Sequence, residues 1–350
     1  MPANVEVTTV PATVYTVVEG VPKKSGDTPD TQDLSWLFHL VFESHESAPL
    51  SFDEAHISFK RGEKTVWHEA LPREYLERME WIEGAYQLDT GYFLDNVMFG
   101  KEVATEPELP AGESVTWIRI PFVRPAYADI DNIHIMFHFR DGQGKLRTVD
   151  HSIPLVRHEQ QAKLRLPFSG TWVVLKGNDV NSGHRRTGFR NLTTMGWDFA
   201  KADGESFGES VLAAGDGVIV DVRSDIEDYG RGVTPPRKLL EEDGDVFAGN
   251  LVTIDHGNGE YTLTCHLAPG SVTVAVGDRV TAGQAIGKVG QAGLVHFNMM
   301  NDGEWLEAHG VPAFFSDFER VLPGTDPQRI EKGNPRTGWL VAPMEGAPKS

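Results

Sequence analysis

Cysteine is almost missing from this chain: Cys265 is the only one among 350 residues. A single thiol excludes an internal disulfide and any cysteine-rich zinc module. Long apolar runs are missing as well, and none approaches the ~18–20 residues that a membrane-spanning helix needs. Positive charge is in deficit, with 32 Lys and Arg against 51 Asp and Glu and a formal net charge of −19. A nucleic-acid-binding or anionic-membrane surface is therefore disfavoured. The acidic excess is spread along the chain rather than gathered in a tail, which reads as a solvated surface. The opening MPANVEVTTVPATVY lacks a charged segment followed by an apolar one. No signal peptide is visible there, so this stretch taken alone points to a cytoplasmic protein.

What is present is a succession of short β-patterns, in a chain long enough for two domains with sizeable cores. Residues 1–33 are Pro-, Thr- and Asp-rich and read as an irregular lead-in. Residues 34–158 alternate as strands: LSWLFHLVFES, a hairpin about Arg61-Gly62 in AHISFKRGEKTVWHEAL, then VTWIRIPFV and IHIMFHFRDGQGKLRTVDHSI. The helix candidate in this half is PREYLERMEWIEGAY, residues 72–86. Five or more strands with hairpin turns predict a small antiparallel β-sandwich over 34–158. Eight of the 13 histidines fall here, with His134 and His138 four apart. That spacing pairs two ligands on a helix, but IHIMFHF reads as a strand, so these are expected to be ordinary sheet histidines. No chemistry is expected in this half.

HEQQAKLRLP (158–167) reads as a linker into a second β-domain over 165–325, with a Gly/Pro-rich tail at 326–350. TWVVL, MGWDFA, SVLAA and GVIVDV are short strands, and DIEDYGRGVTPPRKLLEEDGDVF (225–247) is a polar surface insertion. The organising stretch is Gly249–Met300. It predicts strands at Leu251–Ile254, Tyr261–Cys265 and Ser271–Val274, the first two joined by HGNGE. Asn-Gly in that turn suits a type I′ hairpin, whose two central residues need positive φ. His266 closes one strand and His296 lies inside another. Asp255, beside His256, reads as a turn residue. Adjacent strand residues point to opposite faces, so Cys265 and His266 are not expected to form a nucleophilic pair, and Cys265 reads as a small buried hydrophobe. Two echoes, AAGDGVIVDV and AVGDRVTAGQAIGKVG, also occur in lipoyl and biotinyl carrier domains. Such a carrier needs a modifiable lysine at a hairpin tip, and Lys288 in GKVG lacks that context.

The blocks WDFA…GESVLAAGDGVIV, GNLVTIDHGNGEYTLTCHLAPGSVTVAVGDRVTAGQAIGKVG and VHFNMM, in that order, resemble the lysostaphin-type (LytM-like) zinc metallopeptidases over about residues 165–320. The resemblance implies a duplicated hybrid motif, or barrel-sandwich, β-domain. It also implies a zinc held by a His, an Asp and the second His of H-x-H. A His closing a Y-x-H-L block and the first His of H-x-H act on the attacking water and the developing oxyanion. Three protein ligands leave zinc an open position for water, whose pKa the metal lowers.

Matched residue by residue, Asp198 takes the ligand Asp position, His296 the second His of H-x-H, and His266 the catalytic His. The usual ligand His would fall at Thr194 and the first His of H-x-H at Leu294, so the Zn2+ site is incomplete at both. A subgroup of the family carries an H-R-R block upstream, and NSGHRRTGF supplies His184-Arg185-Arg186. His184, Asp198 and His296 then form a candidate His2Asp site; as a lone histidine beside two arginines, His184 reads equally as a surface residue. Arg185 and Arg186 are candidates to clamp a substrate carboxylate, or are plain surface charge. Two functions follow as expectations. One is a weak or inactive zinc endopeptidase directed at peptidoglycan-type or Gly-rich peptides. The other is a module that binds a peptide, glycan or protein partner on the same fold without cutting it. A carrier domain is the remote third. The resemblance also implies an extracellular or periplasmic setting if a signal was removed.

Overall fold

The computed structural model describes residues 1–19, 33–77, 80–83, 107–118, 122–182, 184, 195–230, 232–233, 235–305 and 308–344. The protein is essentially all-β and separates into two compact units. The first comprises Met1–Thr16, Thr28–Leu88 and Tyr92–Arg157; the second comprises Val17–Asp27, Asp89–Gly91 and His158–Ser350. Among the described residues no helix is long and apolar enough to cross a membrane.

The first unit has two main sheets. One orders the strands Val5–Val10, His39–Ser44, Ser114–Ile118 and Glu80–Glu83. The other orders Val14–Tyr15, Leu146–Val156, Asn132–Arg140, Leu50–Arg61 and Lys64–Pro72. Alternation in Asn132–Arg140, and in Leu50–Arg61 on either side of a bulge at Asp53–Glu54, buries Phe52, Phe59, Phe137 and Phe139 on one face. Phe42 and Trp117 of the first sheet meet that face, with ring centroids 4.8 Å (Phe42–Phe137) and 5.9 Å (Trp117–Phe137) apart. The opposite face of the second sheet carries the polar residues of the same strands. The hairpin about Arg61-Gly62 forms between Leu50–Arg61 and Lys64–Pro72, with Gly62 at φ 55°.

One expectation fails here. The stretch 72–86 does not form one helix: Arg73–Leu76 is a single helical turn and Glu80–Glu83 is a strand paired with Ser114–Ile118. Trp81 stands opposite Trp117 in that pairing, so a tertiary partner overrides the local helical pattern. Residues 78–79 and 84–86 of the stretch lie outside the described residues.

The second unit is built on one ten-stranded antiparallel sheet. Its order is Arg279–Val280, Gly217–Arg223, Asn250–Asp255, Tyr261–Leu267, Val295–Met300, Trp197–Lys201, Trp172–Lys176, Leu340–Pro343, Phe315–Val321 and Gln328–Gly333. Ser210–Leu212 and Ala285–Lys288 pair separately. Residues in the HGNGE turn take positive φ at Gly257, Asn258 and Gly259. Asp255 serves that turn, its Oδ1 accepting from the Gly257 N–H at 2.7 Å.

Three further expectations are corrected, the first being the irregular lead-in over 1–33, which holds the strands Val5–Val10, Val14–Tyr15 and Val17–Val18. Ser271–Val274 is not a strand; it runs beside Ala285–Lys288 through the Thr273 N–H to Ile286 O bond at 3.1 Å, without extended pairing. Within the stretch read as a terminal tail, Gln328–Gly333 and Leu340–Pro343 are strands of the large sheet. The polar insertion holds the helix Arg237–Glu242, and Arg223 ties its far end down by ion pairs to Asp243 (2.9 Å) and Asp245 (2.5 Å). Lys288 sits in a paired strand opposite Ser210, not at a hairpin tip.

Candidate metal centre

Four adjacent strands of the large sheet place Lys176, Asp198, His296 and Cys265 in one cross-strand row. Lys176 pairs with Asp198, Asp198 with His296, and His296 with Cys265. Opposed residues in an antiparallel pair present their side chains on the same face, so a row becomes a cluster. A register shift between Val174 and Lys176 brings Lys176, instead of Leu175, to Asp198. His184 enters from outside the sheet, and its Nδ1–H donates to the Gly196 carbonyl at 3.3 Å.

Asp198 is the hub. Its Oδ1 accepts from His296 Nδ1 at 2.8 Å, while its Oδ2 lies 3.4 Å from His184 Nε2 and 2.9 Å from the Lys176 ammonium. The imidazoles of His184 and His296 meet edge to face, 5.1 Å between centroids. One ligand atom from each of His184, Asp198 and His296 lies within 4.8 Å of the others. Burial by itself would raise the Asp198 pKa, but hydrogen bonds and charge from His184 and His296 outweigh it and hold the carboxyl well below the usual range. Burial lowers the His184 pKa, with Asp198 opposing in part, so the ring is neutral and able to ligate at pH 7.

Gly196 leaves room for this packing. A Cβ there would lie 2.7 Å from His296 Cε1 and 3.0 Å from Nε2. On the other side of the ring, Asn298 Oδ1 is 3.1 Å from His296 Nε2. The Asn298 amide nitrogen is buried without a hydrogen-bond partner among the described residues.

His266 reaches the site through a bulge. The pairing of Asn250–Asp255 with Tyr261–Leu267 shifts register between Asn250 and Val252, and His266 takes φ 64°. Its ring centroid comes 6.2 Å from that of His296. Gly290 donates to the His266 carbonyl at 2.9 Å, and a Cβ at Gly290 would also collide with the Asp228 carboxylate. Asp228, from the polar insertion, accepts from the Gln291 N–H, so the insertion helps hold the turn behind His266. Desolvation, then the neighbouring His296, pushes the His266 pKa down to about 4.

Cys265 packs with Leu251, Leu263, Met300 and Trp305, and burial drives its thiol pKa far up. It is inert at neutral pH. The bulge means that the opposite-face argument does not apply at this position; burial is what keeps the thiol out of the chemistry.

Of the residues singled out by sequence, the structure brings together His184, Asp198, His296 and His266. Arg185, Arg186 and Thr194 lie outside the described residues. Leu294 is a half-buried bend residue that immediately precedes the strand Val295–Met300. Sequence reasoning missed Lys176, Gly196 and Asn298. The last two lie two residues from Asp198 and His296 in sequence, whereas nothing local marks Lys176.

The model of peptidase family M23 matches residues 193–308, about a third of the chain. No curated protein matches the chain. Among solved structures, the lysostaphin solution structure is similar at 26% identity over 33% of this chain and 39% of that one, with a TM-score of 0.23. The chain thus spans about two fifths of the length of that relative. The catalytic domain of the prophage-encoded M23 protein EnpA from Enterococcus faecalis is similar at 18% identity over 44% and 91% of the two chains, TM-score 0.25. A zinc-containing peptidase from Vibrio cholerae is similar at 15% identity over 84% and 83%, TM-score 0.26. The match over residues 193–308, which contains Asp198, His266 and His296, is a family-level match to peptidase family M23, the lysostaphin-type zinc metallopeptidases.

Proposed function

We propose that the second unit binds zinc through His184, Asp198 and His296 and is an attenuated peptidase, with weak endopeptidase activity or none on peptidoglycan-type or Gly-rich peptides. The observation that carries this reading is the Lys176 ammonium, 2.9 Å from Asp198 Oδ2 and 3.4 Å from His184 Nε2. A cation already stands on two of the atoms that would hold the metal. The donor set suits zinc: two imidazoles and an ionised carboxylate, with the His184 Nδ1–H engaged by Gly196 O so that Nε2 is left as the ligand atom. Lys176 is half-exposed at 45%, so its side chain can swing out to solvent when the metal enters.

Zinc, when bound, supplies a Lewis acid and a water of lowered pKa. His266, neutral at pH 7, would orient that water or donate to an oxyanion, held in place by its bulge. A ring with a pKa of about 4 is a poor proton acceptor, which by itself slows the reaction. Arg185 and Arg186 would draw in a substrate carboxylate. On this reading the fold would be an antiparallel β-sandwich over 34–158 followed by a lysostaphin-type barrel-sandwich domain over 165–325.

Leu294 favours a second reading, a peptide- or glycan-binding module that does not cut. Its side chain offers no hydrogen bond where the family places an imidazole, and loss of one such donor costs ~10²–10³ in rate.

Metal content by mass spectrometry, on protein purified without chelators, tests the site. One equivalent of zinc should disappear in His184→Ala, and zinc-loaded wild type should cleave a pentaglycine peptide slowly or not at all. Unchanged zinc in His184→Ala, or turnover at ~10 s⁻¹, typical of an efficient enzyme, would overturn the proposal.

A further inference from the structure

The polar face of the second sheet in the first unit carries a cluster that the family assignment does not touch. Glu54 and His138 are direct cross-strand partners, and His56 lies two residues along from Glu54 on the same face. Glu54 Oε1 accepts from His138 Nδ1 at 2.7 Å and lies 3.1 Å from His56 Nε2. The two imidazoles are 5.1 Å apart between centroids. One ligand atom from each of the three residues lies within 4.8 Å of the others. The side chains are 38%, 32% and 16% exposed for Glu54, His56 and His138, so an ion can enter from solvent.

We infer that Glu54, His56 and His138 form a second metal site, of His2Glu composition, for a divalent transition ion such as Zn2+, Ni2+ or Cu2+. Two imidazole nitrogens with one carboxylate select borderline ions over Mg2+ and Ca2+, which favour all-oxygen shells. Three protein ligands leave positions for water or an incoming ligand.

A further layer orients His56. Its Nδ1 lies 3.4 Å from His68 Nε2, and His68 Nδ1 lies 3.3 Å from Ser58 Oγ. Without metal, His56 Nε2–H donates to Glu54, His68 Nε2–H donates to His56 Nδ1, and the Ser58 hydroxyl donates to His68 Nδ1. With metal on Nε2, the same contacts run in reverse: His56 Nδ1–H donates to His68 Nε2, and His68 Nδ1–H donates to Ser58 Oγ. His138 shifts its proton from Nδ1 to Nε2. Each imidazole keeps one proton in both arrangements. His68 is a positioning residue in this scheme.

The spacing that drew attention in the sequence, His134 with His138, is not the pair that converges. His134 instead meets Asp150, with 3.2 Å between Nε2 and Oδ1.

Zinc titration of the full chain against a chromophoric chelator tests the inference. Wild type should bind one equivalent more than the His56→Gln/His138→Gln variant, and the difference should persist when His184→Ala is added to both. The isosteric Glu54→Gln, on a solvent-facing position, should weaken that equivalent at least 10-fold. His68→Gln should weaken it 10-fold or more without removing it, while His134→Gln should leave it unchanged. Equal stoichiometry in wild type and the double variant would overturn the site. So would equal weakening by Glu54→Gln and His134→Gln, which would mean diffuse binding by surface histidines. Should the double variant fail to fold, Glu54→Gln against His134→Gln still decides.

Discussion

Lys176 and Asp198 are register partners on adjacent strands, joined by an ion pair of 2.9 Å between an ammonium that reaches solvent and a carboxylate that does not. The same ammonium lies 3.4 Å from His184 Nε2. On the proposed zinc reading, metal and lysine compete for one carboxylate oxygen. The outcome depends on how much of the Asp198 charge Lys176 already neutralises.

Replacing Lys176 with Met removes the competitor and keeps the aliphatic stem. Zinc affinity at the His184 site should rise about tenfold or more, equivalent to ~1.4 kcal/mol. Competition with a chelator measures it. Unchanged affinity would mean that Lys176 leaves the site at no cost.

Gly196→Ala puts a methyl group 2.7 Å from His296 Cε1, so the imidazole must shift from its place beside Asp198 or the backbone must give. Overpacking of this kind costs ~1–3 kcal/mol. A fall in thermal midpoint, together with loss of the zinc equivalent that His184 controls, is expected. Calorimetry with metal analysis checks both. A variant with normal zinc content would show that the ring has slack.

Leu294→His supplies an imidazole at the position where the family resemblance expects the first His of H-x-H. Pentaglycine cleavage by the zinc-loaded variant should exceed wild type by ~10²-fold, the scale of one oxyanion donor. The double change with Lys176→Met should gain more than either alone. Continued inactivity with zinc bound would move the defect elsewhere and strengthen the binding-module reading.

His256 makes stability depend on pH away from the metal site. Its Nδ1–H donates to the Asp216 carbonyl at 2.7 Å, and its Nε2 accepts from the Thr262 hydroxyl at 2.8 Å. Desolvation lowers its pKa below 6.5 in the folded protein, with the Asp216 contact opposing. Between the folded value and 6.5 the unfolded chain holds more protons, so stability is full above about pH 6.5 and falls as pH drops below it. His151 and His309 are also lowered by burial and act in the same direction. Denaturant unfolding from pH 8 to 5 should show that decline, and His256→Gln should make it shallower. An unchanged slope in the variant would exclude His256 as a contributor.

The sequence by itself determined the local alternation that makes this an all-β protein. It also determined the turn at Arg61-Gly62 and the positive-φ turn around Asn258, because these rest on side-chain period and on what glycine and asparagine tolerate. The ordered blocks around Asp198, His266 and His296 were legible as a family resemblance. Failures came where a neighbour outweighed a local preference: Glu80–Glu83 is a strand because Ser114–Ile118 pairs with it. Ser271–Val274 has strand residues but no ladder. Tertiary structure alone decided the chemistry at the sites. A one-residue register shift puts Lys176 beside Asp198, a bulge turns His266 toward His296, and cross-strand pairing brings Glu54 to His138 from 84 residues away. Strand register is a long-range choice with a period of two, so a slip of one residue exchanges the faces, and no window of local sequence contains the partner that sets it.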